Sequence, residues 1–343
     1  MWKLTIDNAF EAEYVNKMLP GLVSRVKNWG GKTPLLYKGF RSELLPDWNV
    51  DHPVKTETLK KLLIAKPTEA HNLNEQLMRT FVSGYSETDL VQSALPKGYR
   101  RRLRILASVF DYEGQLSRSE SKSYWLAEHI GHNTCTYCNR QYTFTVSGKN
   151  NDERITRPAF DHWFPKSRFP LLSLNLYNLI PSCPVCNSGA KGDKVFQLGQ
   201  CVHPYEQLDD DPKFKFVPAI SDKDKGLWSV VLDRDGATHP DVDNTIKAFA
   251  LERIYNMHGS LEVKELMDFA QAYNKTYLLQ LYNQMTGDLG AIGFSQEEVY
   301  RMLFGTESIP SKYLDRPLSK MKHDILEYLG IFYELQYIGK ANG

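Results

Sequence analysis

The sequence predicts a mainly α-helical chain into which a compact cysteine-bearing module and a short β-hairpin are inserted. Three observations carry that expectation. Helix-period apolar patterning fills both ends of the chain, and the texture changes at Gly131 to turns, short β-like runs and all five cysteines. After the module, strand-like alternation returns only briefly. The resulting division is 1–130 for an N-terminal helical region, 131–206 for the module, and 207–343 for a β segment followed by a C-terminal helical region. A chain of 343 residues corresponds to about two domains and can bury a core without covalent staples.

In order along the chain, EAEYVNKMLPGLVSRVKNW reads as a helix interrupted by Pro20 and Gly21. The stretch 32–53 carries Pro34, Gly39, Pro46 and Pro53 and reads as irregular connection. Helical patterning resumes at Thr56, with Leu59, Leu62 and Leu63 on one face. Further helices are expected over 73–83, 87–94, 101–110 and 121–130. Ser86 with Asp89 and Ser117 with Glu120 resemble capping boxes at two of the starts. Inside the module QYTFTV alternates as a strand and SGKNND follows as a loop. LWSVVL (227–232) with DRDG after it reads as a hairpin strand and turn. Helices are then expected over 245–257, 261–284, 296–303 and 318–337, before a frayed IGKANG end.

Composition narrows the function classes. Apolar residues at 42% and charged residues at 24% suit a folded globular chain rather than a disordered one. The balance of 42 basic against 41 acidic residues, net +1, excludes a protein that grips nucleic acid by bulk charge and leaves room for a local basic site. No apolar run reaches the roughly 18 residues a membrane span needs. MWKLTIDNAFEAEY turns acidic too early for a secretory signal, so a cytoplasmic protein with reduced thiols is expected.

Four of the five cysteines form two CxxC knuckles, Cys135–Cys138 and Cys183–Cys186. Each such turn places two thiolates on one metal. Four thiolates complete the tetrahedron that Zn²⁺ prefers, with no open position, so the site they predict is structural. The bland alternative is four buried free thiols. Residues 139–182 separate the knuckles, a longer gap than in a zinc ribbon, which suggests a functional insert. Cys201 has no partner left and reads as a small buried hydrophobe.

The insert carries an ordered constellation. Asp161 and His162 are adjacent and are followed by Pro165-Lys166-Ser167. Asn178-Leu179 comes next, Asn187 directly follows the second knuckle, and Lys191 lies one turn further. These chemistries suit phosphodiester cleavage. An imidazole accepts a proton from water near neutral pH, and a carboxylate and an amide oxygen are hard donors for a divalent cation. In this order and spacing, 132–205 resembles the HNH (ββα-metal) endonuclease superfamily. The resemblance implies a zinc-stapled, treble-clef-like ββα-metal module with catalytic His162 and Asn178. It further implies that Asp161 and Asn187 hold a catalytic Mg²⁺ or Mn²⁺, and that DNA is the substrate. By the same resemblance Asn178 either orients His162 or braces the hairpin. Lys166 and Lys191 either contact phosphate or face solvent. The set reads H-N-N rather than H-N-H, because position 187 is Asn. PLLSLNLYNLIPSC, KGDK and HPYE in order also resemble the HNH subunits of bacterial anti-phage systems such as Septu. That implies an ATPase partner, and this chain has no Walker A motif.

Charge is unevenly placed. The module carries Arg140, Lys149, Arg154, Arg157, Lys166, Arg168, Lys191 and Lys194 against Asp152, Glu153, Asp161 and Asp193. Upstream, Arg100, Arg101, Arg102 and Arg104 form a cluster that reads either as a phosphate-following face or as a solvated helix surface. His132 and His203, at the module's edges, read as structural. The leading expectation is a metal-dependent DNA endonuclease in anti-phage defence. Its rivals are a non-catalytic zinc-stabilised DNA- or protein-binding subunit and, more weakly, a zinc hydrolase of another substrate.

Overall fold

The computed structural model describes residues 1–28, 36–46, 55–91, 95, 97–130, 132–148, 154–221, 227–234, 239–273, 275–286 and 293–331. The chain is mainly helical, with small two-stranded antiparallel sheets, and divides into two compact units. Met1–Lys3, His132–Thr143 and Gln207–Gly343 form one; Leu4–Gly131 and Phe144–Glu206 form the other. No helix among the described residues is long and apolar enough to cross a membrane.

The unit built from Leu4–Gly131 and Phe144–Glu206 is organised around one short hairpin. Ala159–His162 pairs antiparallel with Leu179–Ser182, placing Asp161 opposite Ile180 and His162 opposite Leu179. The connection between these strands, 163–178, is buried almost throughout. A buried connection must find partners for its backbone; here Asn178 and Tyr14 supply some of them, and Asn175 and Ser173 fasten the connection to the backbone of neighbouring elements. Asn178 accepts from the Phe164 amide at 2.7 Å and donates to the carbonyls of Phe164 and Leu172 at 3.1 and 2.9 Å. Asn175 donates to the carbonyls of Leu62 and Ala65, both at 3.0 Å. The Ser173 hydroxyl donates to Phe110 O, and the Tyr14 hydroxyl to Leu174 O.

The helices Asn8–Asn28, Glu57–Ile64, Pro67–Phe81, Lys97–Val109 and Glu120–Ile130 pack in the same unit. Asn8–Asn28 runs unbroken through Pro20, contrary to the interruption expected there. Pro20 is exposed, and the buried face of Phe10, Tyr14, Met18, Leu22 and Val26 extends on both sides of it. That burial outweighs the single hydrogen bond a proline removes. A helix, Leu36–Leu44, also occupies part of the stretch expected to be irregular, with Phe40 and Leu44 buried one turn apart. Leu59, Leu62 and Leu63 share the buried face of Glu57–Ile64 as their spacing predicts. The QYTFTV strand shrinks to a Thr134–Tyr142 bridge and a Val146–Ser147 pairing with Arg154–Thr156. Tyr142 and Phe144 are exposed, so no buried face holds a longer ladder in register. Most of the loop after it, 149–152, lies outside the described residues.

In the other unit, Lys215–Ile220 pairs with Trp228–Asp233. The hairpin partner therefore precedes the LWSVVL strand, and DRDG is not its turn. Pro240–Ala248 and Leu251–Asn256 replace one expected helix, divided at Ala250, whose φ of 49° is left-handed. Similarly, Lys264–Ala272 and Lys275–Thr286 share the span expected to form one long helix. Gln296–Phe304 starts with a Ser295–Glu298 capping box. Ser319–Tyr328 is the last helix described; the remainder of the expected 318–337 helix beyond 331, and the IGKANG end, lie outside the described residues.

The first knuckle belongs to this unit and is locked by its successor. Asn139 adopts φ 46°, a conformation Asn tolerates better than most residues. Its side-chain amide donates to Thr134 Oγ1, Tyr313 O and Arg316 O at 2.9, 2.6 and 3.0 Å, and accepts from Ser319 N at 3.1 Å. The Tyr255 hydroxyl donates to Cys138 O, and Tyr137 stacks on Phe249 with ring centroids 4.3 Å apart.

His203 bears out its structural reading. It is buried, its ring centroid lies 4.6 Å from that of Trp163, and its Nδ1 accepts from Tyr205 N at 3.3 Å. Burial pushes its pKa down to about 3. Between pH 6.5 and that value the unfolded chain binds a proton that the folded chain does not. Stability from this group is complete above about pH 6.5 and falls by about 1.4 kcal/mol per pH unit below it. His203→Asn retains an acceptor for Tyr205 N and is expected to flatten the loss of stability between pH 7 and pH 5, measured by urea unfolding. An unchanged pH dependence contradicts the assignment.

Candidate functional site

The hairpin, the turn after the second knuckle and the segment ahead of Glu120–Ile130 meet at one cavity of about 500 Å³, all within one unit. Asp161, His162, Lys166 and Asn187 line it, together with Tyr112, Glu113 and Arg157. Four of the residues singled out in the sequence are thus brought together. Strand geometry does part of this. His162 is the last residue of its strand, while Asn187 sits in the π-helical turn Val185–Lys191 that Gly192 ends at φ 52°.

His162 is held from two sides. Its Nε2 lies 2.9 Å from Ser173 O, and the Tyr112 ring meets it edge-on with centroids 4.4 Å apart. A carbonyl only accepts, so Nε2 carries the proton and Nδ1 is the basic nitrogen. Burial pushes the ring's pKa down to about 3, against the opposing pull of the Ser173 hydrogen bond. The imidazole is therefore neutral at physiological pH.

Asn178 does not line the cavity. Its three side-chain hydrogen bonds tie the start of the buried connection to its end, so of the two roles its resemblance leaves open, the geometry gives bracing. Lys191 departs from both of its expected roles. It is 2% exposed and Asp161 is 3% exposed. Its Nζ lies 3.2 Å from Asp161 Oδ2 and 3.3 Å from Oδ1, and donates to His162 O at 2.6 Å. A buried ammonium carries three donors that need acceptors, and the hairpin supplies them. Burial lowers the Lys191 pKa, and Asp161 partly offsets that shift.

Lys166 remains at the surface of the cavity. It pairs with Glu113 and lies over the Tyr112 ring at 4.8 Å. Burial tends to raise the Glu113 carboxyl, but the hydrogen bond and charge of Lys166 outweigh this and hold it below the usual range. Arg157, absent from the sequence-level site, spans Pro158 O and Ser117 O at 2.8 and 3.2 Å. Tyr112, Glu113 and Ser173 were equally missed. Nothing near the Asp161-His162 pair in sequence marks the first two, which lie about fifty residues upstream. Ser173 acts through its backbone carbonyl, which any residue carries.

Asp161 and Asn187 offer a carboxylate and an amide oxygen to the same cavity, a donor set suited to a hard divalent ion. A carboxylate has acceptor capacity for more than one partner, so Lys191 does not exhaust Asp161.

Cys135, Cys138, Cys183 and Cys186 are buried, and their sulfurs all lie within 4.8 Å of one another. Tetrahedral Zn–S bonds of about 2.3 Å place sulfurs about 3.8 Å apart, so the cluster can hold a structural zinc. Cys201 is half-buried rather than buried, which corrects its reading as a core hydrophobe. His132 is half-buried, with its pKa lowered to about 4 by burial.

No family model matches the chain, and no solved structure matches it. Protein ea31 of Escherichia phage lambda is 41% identical over 51 residues, covering 14% of this chain and 17% of the phage protein. The chain thus matches less than a fifth of that protein's length.

Two measurements probe these sites. Lys191→Met leaves Asp161 buried and uncompensated and is expected to cost about 3–5 kcal/mol. Adding Asp161→Asn should restore part of that loss in a denaturant midpoint series, and no recovery means the pair is not coupled. Metal analysis should return about one zinc per chain, and Cys183→Ser should lower both zinc content and thermal midpoint. Full stability without bound metal excludes a structural zinc.

Proposed function

We propose that this chain is a metal-dependent endonuclease of the HNH type, acting on DNA through a zinc-stapled ββα-metal module. The observation that carries the reading is the convergence of Asp161, His162 and Asn187 on one cavity, with His162 presenting Nδ1 as its basic nitrogen. The substrate and the setting, anti-phage defence beside an ATPase partner, follow from the resemblance of the motif.

In this reading His162 Nδ1 takes a proton from the attacking water. Ser173 O and Tyr112 fix the ring so that it does not need to reorient. An anionic phosphodiester entering the cavity favours the imidazolium form, so the base strengthens as substrate binds. Lys166 and Arg157 at the cavity wall face the phosphate's negative charge. Asp161 and Asn187 would hold the divalent ion, which supplies Lewis-acid stabilisation of the developing charge when bound. Lys191 positions Asp161 and the His162 backbone from beneath, and Asn178 keeps the connection that carries Ser173 in place.

Purified protein with Mg²⁺ or Mn²⁺ is expected to nick or cleave plasmid DNA. His162→Ala should lower the rate by at least about a hundredfold while leaving zinc content unchanged. Equal cleavage by His162→Ala overturns the assignment. Binding without cleavage under any divalent ion supports the zinc-stabilised binding subunit instead.

A further inference from the structure

The helix Lys97–Val109 carries no acidic residue in its first turn, and Arg100, Arg101 and Arg104 on it are exposed. These three line a shallow concavity of about 480 Å³ with Ile105 and Ser108. Among the described residues none of the three forms an ion pair. Their placement opposes the helix twice. Like charges one turn apart, as at Arg100 and Arg104, repel, and Arg100, at the end of the first turn, meets the positive end of the helix dipole. A bound polyanion relieves both, because it neutralises the guanidinium groups and is itself favoured near a helix N-terminal end.

The helix also leads directly into the candidate site. Phe110, just beyond its end, accepts from the Ser173 hydroxyl at 2.7 Å, and Tyr112 and Glu113 line the cavity. Arg104 precedes Tyr112 by eight residues, across the helix end at Val109. One turn advances about 5.4 Å, and a nucleic-acid strand presents one phosphate per about 3.4 Å of axis. Guanidinium groups spaced by a turn therefore meet nearby phosphates of one strand. A membrane surface is the poorer fit, because Ile105, the large apolar side chain that lines the concavity with the arginines, is itself half-buried in the protein.

We infer that Arg100, Arg101 and Arg104 form a phosphate-backbone docking face that holds nucleic acid flanking the candidate cleavage site. The choice of nucleic acid as the polyanion rests on the endonuclease reading. The face fixes position without reading sequence.

The test is fluorescence anisotropy of the full chain with a labelled 30-base-pair duplex, across a salt series and without added divalent ion. Arg100→Gln, Arg101→Gln and Arg104→Gln together keep good helix formers on the face. They should weaken binding at low salt by at least about tenfold and make the log–log salt slope shallower by about 2–3. Each single change should remove about one unit of slope, and Arg104→Lys should restore most of it. The singles serve even if the triple variant folds poorly. Wild-type affinity and slope in the folded variants overturn the inference, as does arginine-dependent binding to phosphatidylserine vesicles but not to the duplex. Failure of the two readings is distinguishable. Arginine-dependent duplex binding by a wild type that never cleaves removes the endonuclease reading and keeps the docking face. Cleavage by wild type, with arginine variants unchanged in binding and KM, removes the docking face alone.

Discussion

Burying the connection 163–178 without leaving its backbone polar groups unpaired is the constraint on which the candidate site depends. Loops ordinarily lie at the surface because water satisfies them there. This one is inside: Asn178 and Tyr14 take up backbone groups of the connection in place of water, while Asn175 and Ser173 tie it to backbone carbonyls of its neighbours. Asn178 closes the connection on itself, Asn175 fastens it to the end of Glu57–Ile64, and Ser173 fastens it to Phe110. The N-terminal helices are therefore not an accessory to this segment: they provide both the apolar cover and several of the acceptors. His162 inherits its orientation from the same arrangement, since its Nε2 bonds to the carbonyl of Ser173. A side chain gripped by a braced backbone loses little further freedom when it acts, which is what preorganisation requires.

The Asp161–Lys191 pair beneath the cavity is harder to explain by stability. Two charges removed from water cost several kcal/mol each, and apolar residues of similar volume often do as well or better. The pair makes sense as a positional device, because each charged group is the other's buried partner and removing one leaves the other uncompensated. It also joins the turn after the second knuckle to the strand that bears His162, because Lys191 bonds at once to Asp161 and to His162 O. One ammonium therefore ties the carboxylate of Asp161 and the backbone of His162 to the turn after the second knuckle.

What was legible in the sequence followed from local pattern. The CxxC pairs and the buried face of Leu59, Leu62 and Leu63 each depend on neighbours a few residues away, whereas a strand under Asp161-His162 is implied only by the resemblance of the motif. What was not legible depended on tertiary packing. Pro20 reads as a break because propensity is local, whereas the face it interrupts is buried on both sides. LWSVVL pairs backwards with Lys215–Ile220 because its register is set by cross-strand burial, with Phe216 opposite Leu232, rather than by the turn-like residues after it. Lys191 reads as a surface cation, since lysine is rarely buried, and only the hairpin's acceptors reveal otherwise. Tyr112 and Glu113 reach the cavity from a helix end that no spacing rule connects to the motif.

The net charge of +1 illustrates the same limit. A sequence count weighs every ionised group equally, but the field outside a protein comes from those left exposed and unpaired. Lys191 and Lys320 are buried against Asp161 and Asp324 respectively, and each such pair is close to neutral at a distance. Arg25 is paired with Asp111, and Lys215 with Glu327, so these cations also contribute little. Arg100, Arg101 and Arg104 contribute in full because they are exposed and make no ion pair among the described residues. Their unit also holds the cavity lined by Arg157 and Lys166. A near-neutral chain can therefore present a locally positive surface, and the distribution rather than the sum carries the functional information.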